Sequence, residues 1–228
     1  MTYKLAIFDF DGTLADSFEF FLASHNTLAR RHGFAEMDSA RIDDYRGQEP
    51  RELMRRHGIP MWKLPIIARD FMAMMARHAD GIRLFEGIAE ALHALSVSGI
   101  ELAIVTSNSL ENVRRVVGNE ALQRVRHIES GASIFGKRRR LERVLKTCNI
   151  ARQHAIYVGD QATDAQAARA AGIAFGAVRW GYATAAMLDQ HSPAMTFGCV
   201  SELQRIAKGR DSAPSACSES SYKNSKHE

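Results

Sequence analysis

The sequence predicts an α/β fold, a doubly wound and mostly parallel sheet with an inserted α-helical segment. Short apolar runs of strand character at 5–8, 101–105, 155–158 and 173–178 alternate with helical stripes once the chain passes Gly87. Between the first two runs, from about 17 to 80, the only periodicity is helical. The chain has 228 residues, 46% hydrophobic and 25% charged, which is enough to bury a sizeable core without disulfides or structural metal. These patterns divide the chain into a core (1–16 and 81–208), a helical insert (17–80) and a C-terminal tail (209–228) expected to be disordered, because it is rich in Ser, Lys and Glu with almost nothing to bury.

The first run, Leu5-Ala6-Ile7-Phe8, ends at Asp9, and Asp11-Gly12-Thr13 follows as a turn. Asp16-Ser17 then has the composition of a helix N-cap. Phe18, Phe21, Leu22, His25, Leu28 and Ala29 recur at helical spacing, and Gly33 ends that helix. A polar stretch at 36–44 leads to Tyr45-Arg46-Gly47. Pro50 opens a short helix carrying Leu53 and Met54, and Gly58-Ile59-Pro60 breaks it. Residues 62–78 are again helical, with Ile67, Phe71, Met74, Met75 and His78 on one face, a Met-rich stripe suited to helix packing.

In the second half, Ile88, Ala91, Leu92 and Leu95 form a helix stripe that Gly99 ends before the strand 101–105. Thr106-Ser107-Asn108-Ser109 precedes a helix with Val113, Val116 and Val117. His127-Ile128-Glu129 is a short strand candidate, and a helix at 137–146 turns Leu141, Val144 and Leu145 inward. The strand 155–158 closes on Gly159-Asp160. An alanine-rich helix at 162–171 ends at Gly172, and the strand 173–178 and a helix at 200–207 complete the pattern.

Composition bounds the partners. The net charge of +4 and pI near 9.1 favour a small anionic substrate, but the basic residues are scattered with no interleaved aromatics, which argues against nucleic acid. Cys148, Cys199 and Cys217 are odd in number and contain no CxxC, so no disulfide framework and a reducing compartment are expected. Lys4, Asp9 and Asp11 interrupt the one early apolar run, and no stretch is long enough to cross a bilayer. A cytoplasmic monomer or homodimer without membrane contact is the expectation.

In an open parallel sheet, ligands bind beyond the carboxyl ends of the strands, near the point where strand order reverses. Three strands here end in useful groups: one at Asp9 with Asp11 beyond, one at Thr106, one at Asp160 with Asp164 four residues on. Lys137 sits at the head of a helix. Four carboxylates meeting at one edge repel strongly. A divalent cation with oxygen ligands relieves this, and Mg²⁺ is the usual choice beside phosphate. A lysine near the cation neutralises further charge, so the set has the make-up of a phosphoryl-transfer site.

Asp9-Phe10-Asp11-Gly12-Thr13-Leu14 resembles the DxDGTL signature of the haloacid dehalogenase superfamily, in its phosphoglycolate phosphatase-like branch. Thr106, within Ile104-Val105-Thr106-Ser107-Asn108, resembles the second motif; Lys137 resembles the third; and Tyr157-Val158-Gly159-Asp160 with Asp164 resembles the fourth. The likeness spans roughly residues 1–207. It implies Asp9 as nucleophile and Asp11 as acid and base. Thr106 would bond a phosphate oxygen, with Gly12, Ser107 and Asn108 beside the substrate, and Lys137 would stabilise charge. The metal, Mg²⁺, would be held by the Asp9 carboxylate, the Asp11 carbonyl and the Asp160 carboxylate, with Asp164 acting directly or through water. The helical insert matches the cap of that branch, and Arg46-Gly47 resembles the cap loop that meets the substrate. Phe135-Gly136-Lys137 departs from the Lys-Pro pair common in relatives, which leaves Arg138 as the alternative to Lys137. Gln161-Ala162-Thr163 departs within the fourth motif and bears on specificity.

The resulting expectation is a Mg²⁺-dependent phosphatase acting on a small phosphorylated metabolite. The alternatives on the same scaffold are a sugar-phosphate mutase of the beta-phosphoglucomutase type and a non-catalytic binding protein.

Overall fold

The computed structural model describes residues 2–78, 81–131 and 136–209. The expected tail therefore lies outside the described residues, apart from Gly209, as does Asp80 at the end of the helical insert.

β1 (Leu5–Phe8) enters the middle of the sheet, and β2 (Ala15–Asp16) leads out of it. Four helices follow: α1 (Phe18–His32), α2 (Ile42–Arg46), α3 (Pro50–Arg56) and α4 (Leu64–His78). β3 (Arg83–Leu84) brings the chain back, pairing antiparallel with β2, so the exit from the sheet region and the return to it are fastened side by side. Then come α5 (Ile88–Val97), β4 (Glu101–Val105), α6 (Leu110–Leu122), β5 (Val125–Glu129) and α7 (Lys137–Cys148). β6 (Ala155–Gly159), α8 (Ala162–Ala171), β7 (Ala174–Val178), α9 (Ala185–Asp189) and β8 (Met195–Phe197) follow, and α10 (Arg205–Lys208) closes the described chain.

The main sheet has the order β5-β4-β1-β6-β7-β8, with every neighbouring pair parallel. Alternation along the strands sorts two cores. Ala6, Phe8, Leu102, Ile104, Ile156 and Val158 face α5 and α6. Leu5, Ile7, Ala103, Val105, Ala155 and Tyr157 face α7 and α8. Both faces of the central strands are covered, which explains why these strands read as continuous apolar runs. The chain steps from β1 out to β4 and β5, then crosses back to β6, β7 and β8. The order thus reverses at β1, and the three adjacent strands β4, β1 and β6 present their carboxyl ends at that point.

Several elements depart from the sequence expectation. α2 arises within the polar stretch because Tyr45 alone of its residues is buried, too little for a visible stripe. The two-residue strands β2 and β3, the three-residue β8 and the five-residue α9 are too short to show a period. The helix expected from Trp62 begins as a 3₁₀ turn, and α4 proper starts at Leu64, leaving Trp62 exposed. The last helix is a 3₁₀ turn, Val200–Gln204, running into α10. Cys148 is a free buried thiol, packed in the core cluster of Leu141, Val144 and Leu145. Cys199 is disulfide-bonded, a pairing that the cysteine spacing did not suggest. Among the described residues no helix is long and apolar enough to cross a membrane.

Candidate active site

Asp9 directly follows β1, and its N–H still donates to Val158 O of β6 (2.8 Å), so the first carboxylate is fixed by a continuation of the sheet ladder. β6 ends at Gly159, and Asp160 follows, fully buried. Asp164 sits in the first turn of α8 in a capping box, its Oδ2 accepting the Gln161 N–H (3.0 Å). Ligand oxygens of Asp9, Asp160 and Asp164 lie within 4.8 Å of one another, all buried. Residues 151 positions apart, each at the end of a strand, thus converge at one rim.

Lys137, at the start of α7, is buried and donates to Asp9 Oδ2 (2.7 Å) and Asp164 Oδ1 (2.5 Å). Burial opposes its charge, but Asp164 and Asp9 outweigh burial and hold its pKa above the ordinary lysine value. Arg138, the alternative, points to Glu142 on an exposed face, so the geometry selects Lys137. Arg140, one turn further along α7, is buried and donates to Thr106 O (2.9 Å) and Gly131 O (2.8 Å), bracing the end of β4.

Burial, then the Asp164 charge, raise Asp9 to about 7 against the pull of Lys137. Burial and the charges of Asp164 and Asp9 likewise push Asp160 well above the carboxylate range. Three buried carboxylates facing one ammonium are short of positive charge. Every donor is a hard oxygen, and the walls are tight: a Cβ on Gly181 would collide with Asp160 and the Gly12 carbonyl, and one on Gly12 with the Asp160 carboxylate. A compact, all-oxygen, charge-deficient cradle fits a small hard divalent cation, with Asp9, Asp160 and Asp164 as the carboxylates to hold it.

Gly12, expected beside the substrate, has a close-packing task here. Its φ of 74° and its contact with Asp160 both require the absence of a side chain. Gly12→Ala is expected to cost roughly 1–3 kcal/mol through overpacking and to displace Asp160; urea melts of the variant and wild type measure it.

Asp11 is set apart from this trio. Its carboxylate accepts from Asn108 Nδ2 (2.9 Å) and Ser17 Oγ (3.0 Å). Ser17 stands at the N-cap of α1 but makes no side-chain cap bond. Because its proton goes to Asp11, Tyr182 must donate to Ser17 Oγ (2.8 Å), giving a relay Tyr182–Ser17–Asp11. Burial is the main cause of a raised Asp11 pKa, with the Asn108 and Ser17 bonds opposing it. The Asp11 carboxylate is thus outside the metal trio; the expectation of Asp11 as a ligand concerned its backbone carbonyl.

Thr106 is buried, and its Oγ1 accepts the Asn108 N–H (2.9 Å), which shapes the loop after β4. Ser107 and Asn108 line the cavity above. Asn108 is also engaged with Asp11, Met75 Sδ, Ser109 N and Asn112 Nδ2, so its contribution is to position Asp11. Arg46 lines the cavity, but its guanidinium donates to Gly181 O (2.8 Å) and Tyr182 O (3.0 Å), tying the helical insert to the loop after β7. Gly47 is exposed and is not among the cavity-lining residues, so the two residues expected to contact substrate are separated. Thr13, which donates to Asp160 Oδ1 (2.9 Å), Ser17, Gly181 and Tyr182 were not singled out from the sequence as site residues. Thr13 lay inside the motif already quoted, whereas Tyr182 carries no local signal.

A doubly wound sheet with a cation-seeking carboxylate centre at its switch point, and an acid held separately beside it, defines an α/β enzyme that handles an anionic group. A family model described as haloacid dehalogenase-like hydrolase matches residues 6–178. Phosphoglycolate phosphatase of Synechococcus elongatus is 30% identical over 177 residues, covering 77% of this chain and 84% of that protein. Tyrosine-protein kinase PtkA of Mycobacterium tuberculosis is 28% identical over 193 residues, covering 83% of this chain and 66% of that protein. Among solved structures, a candidate phosphoglycolate phosphatase from Lactobacillus plantarum matches with a TM-score of 0.77 at 25% identity, over 90% of this chain and 100% of that one. CbbY from Rhodobacter sphaeroides, solved with phosphate, shares the fold with a TM-score of 0.67 at 20% identity, over 89% and 96%. The chain belongs to the haloacid dehalogenase-like hydrolase family, in its phosphoglycolate phosphatase-like branch.

Proposed function

We propose that the protein is a Mg²⁺-dependent phosphatase of small phosphate monoesters that works through an aspartyl-phosphate on Asp9. The observation that carries this reading is the different setting of two carboxylates two residues apart. Asp9 is paired with a buried ammonium and stands among the acids of the cation site, whereas Asp11 lies outside that trio and is held by the neutral donors Asn108 and Ser17. One carboxylate inside the cation site and one beside it suit the separate roles of nucleophile and acid.

Asp9 attacks phosphorus and forms the acyl phosphate as the ester P–O bond breaks. Asp11 gives its proton to the leaving oxygen, then takes one from the water that attacks phosphorus and frees Asp9. Lys137 keeps Asp9 oriented and offsets charge gathering on the phosphoryl oxygens. Asp9, Asp160 and Asp164 would hold Mg²⁺, whose charge would keep Asp9 ionised and neutralise phosphate. The helical insert acts as a cap that excludes bulk water from the acyl phosphate; its ties to the core through Arg46, and through Asn108 with Met75, support that role.

The test is phosphate release from a panel of phosphorylated metabolites with Mg²⁺ and with EDTA. 2-Phosphoglycolate belongs in the panel because relatives bear its name. Release is expected with Mg²⁺ and its loss with chelator. Full turnover in EDTA would remove the metal from the reading, and a phosphorylated isomer in place of inorganic phosphate would make the protein a mutase.

A further inference from the structure

We infer that the ester taken by this site has an apolar leaving group, an alkyl or aryl alcohol, in preference to an anionic one such as glycolate. The inference rests on the phosphatase reading and deepens it.

A cavity of about 270 Å³ opens above Asp9 and Asp11 and runs up between the helices of the insert. Asp9, Asp11, Ser107, Asn108 and Lys137 line it at the reacting centre, and Tyr45, Gln48, Gln161, Thr163 and Tyr182 add neutral polar groups elsewhere in the lining. Its walls are Phe21, Leu22, Leu53, Met54, Ile67 and Phe71. An aromatic run starts where the acid is held: Tyr182, which reaches Asp11 through Ser17, packs on Phe18 (5.0 Å between centroids) and Phe21 (5.4 Å), and Phe21 packs on Phe71 (6.2 Å). The oxygen that Asp11 protonates is the one bearing the leaving group, so that group projects along this wall.

An anionic leaving group needs a cation there. Among the described residues lining the cavity, the permanent cations are Lys137 and Arg46. Lys137 is held by Asp9 and Asp164. Arg46 is held by the carbonyls of Gly181 and Tyr182 and lies 5.2 Å from the Phe18 ring centre. His25 is bonded through Nε2 to Ala35 O (3.2 Å), and burial lowers its pKa, so it stays neutral. A carboxylate placed against the wall would lose its water and meet neutral donors at best, with both lining cations already engaged. A hydrocarbon body gains from the same burial.

The experiment compares kcat/KM for ethyl phosphate, benzyl phosphate and 2-phosphoglycolate at one Mg²⁺ concentration. All three expel unactivated alkoxides, so intrinsic reactivity does not favour the benzyl ester. Benzyl phosphate is expected to exceed the other two by at least about tenfold. Leu53→Arg, which puts a cation on the half-buried wall, is expected to lower the ratio of benzyl phosphate to phosphoglycolate by at least about tenfold; Met54→Lys takes its place should that variant not fold. The ratio is independent of the active fraction of each preparation. Phosphoglycolate turned over within tenfold of benzyl phosphate, or a ratio unmoved by the added cation, overturns the inference while the phosphatase reading stands. Failure to release phosphate from any ester overturns both.

Discussion

Asp9→Asn lowers phosphate release by on the order of 10⁴–10⁶-fold and leaves the protein folded. The amide matches the carboxylate in shape and cannot form the acyl phosphate, so the first covalent step is lost. The fold survives because the sheet ladder holds this residue through its backbone, whose N–H bonds Val158 O. Removing one partner of a buried ion pair is usually costly because the other charge is stranded. Lys137 is not stranded here, since Asp164 Oδ1 stays 2.5 Å from its ammonium. The substitution also removes one of the like charges that push Asp160 up. Thermal melts in EDTA are therefore expected to place the variant at or above wild type. Initial rates with Mg²⁺ measure the loss, and wild-type turnover by the variant would remove Asp9 from the nucleophile's role.

The charged groups that meet at this rim were legible in the sequence because each sits at the end of a strand or the head of a helix. Such positions announce themselves locally, as an apolar run closed by Asp9 or by Gly159-Asp160, or as a helix stripe opened by Lys137. The sheet was legible for the same reason: buried on both faces, its central strands are short apolar blocks. What orients those groups was not legible. Tyr182 meets Ser17 across 165 positions, and Asn108 meets Asp11 across 97. Ser17 was visible only as an N-cap, a local role its hydroxyl gives up for Asp11. Arg46 was visible as a cap residue, but its hydrogen bonds run to carbonyls of the loop after β7, a pairing no spacing rule predicts. Long-range polar pairs have no period, so a sequence shows their members without their partners.

Lys137→Met is the sharpest test of the charge balance at this site. The thioether fills most of the lysine's space and supplies no charge. Asp9 and Asp164 then lie buried against each other with their shared ammonium gone. Breaking a buried pair in this way costs about 3–5 kcal/mol, which for a chain of this size lowers the melting temperature on the order of 10 °C in EDTA. Turnover falls by about 10²–10³-fold, the usual scale for losing one preorganised charge at a reacting centre. Added Mg²⁺ then separates two accounts of the lysine. If it balances charge, the variant's carboxylates are left more negative than in wild type and bind the cation more tightly. Mass action stabilises the tighter binder more, by RT ln(1 + [L]/Kd), so the gap in melting temperature narrows as Mg²⁺ is raised. If instead Lys137 matters only as a packing element at the head of α7, methionine supplies nearly the same volume, and the gap is small in EDTA and indifferent to the metal. A large gap that Mg²⁺ fails to narrow would show that the three acids do not share an ion, and with that the proposed chemistry at Asp9 would lose its cation.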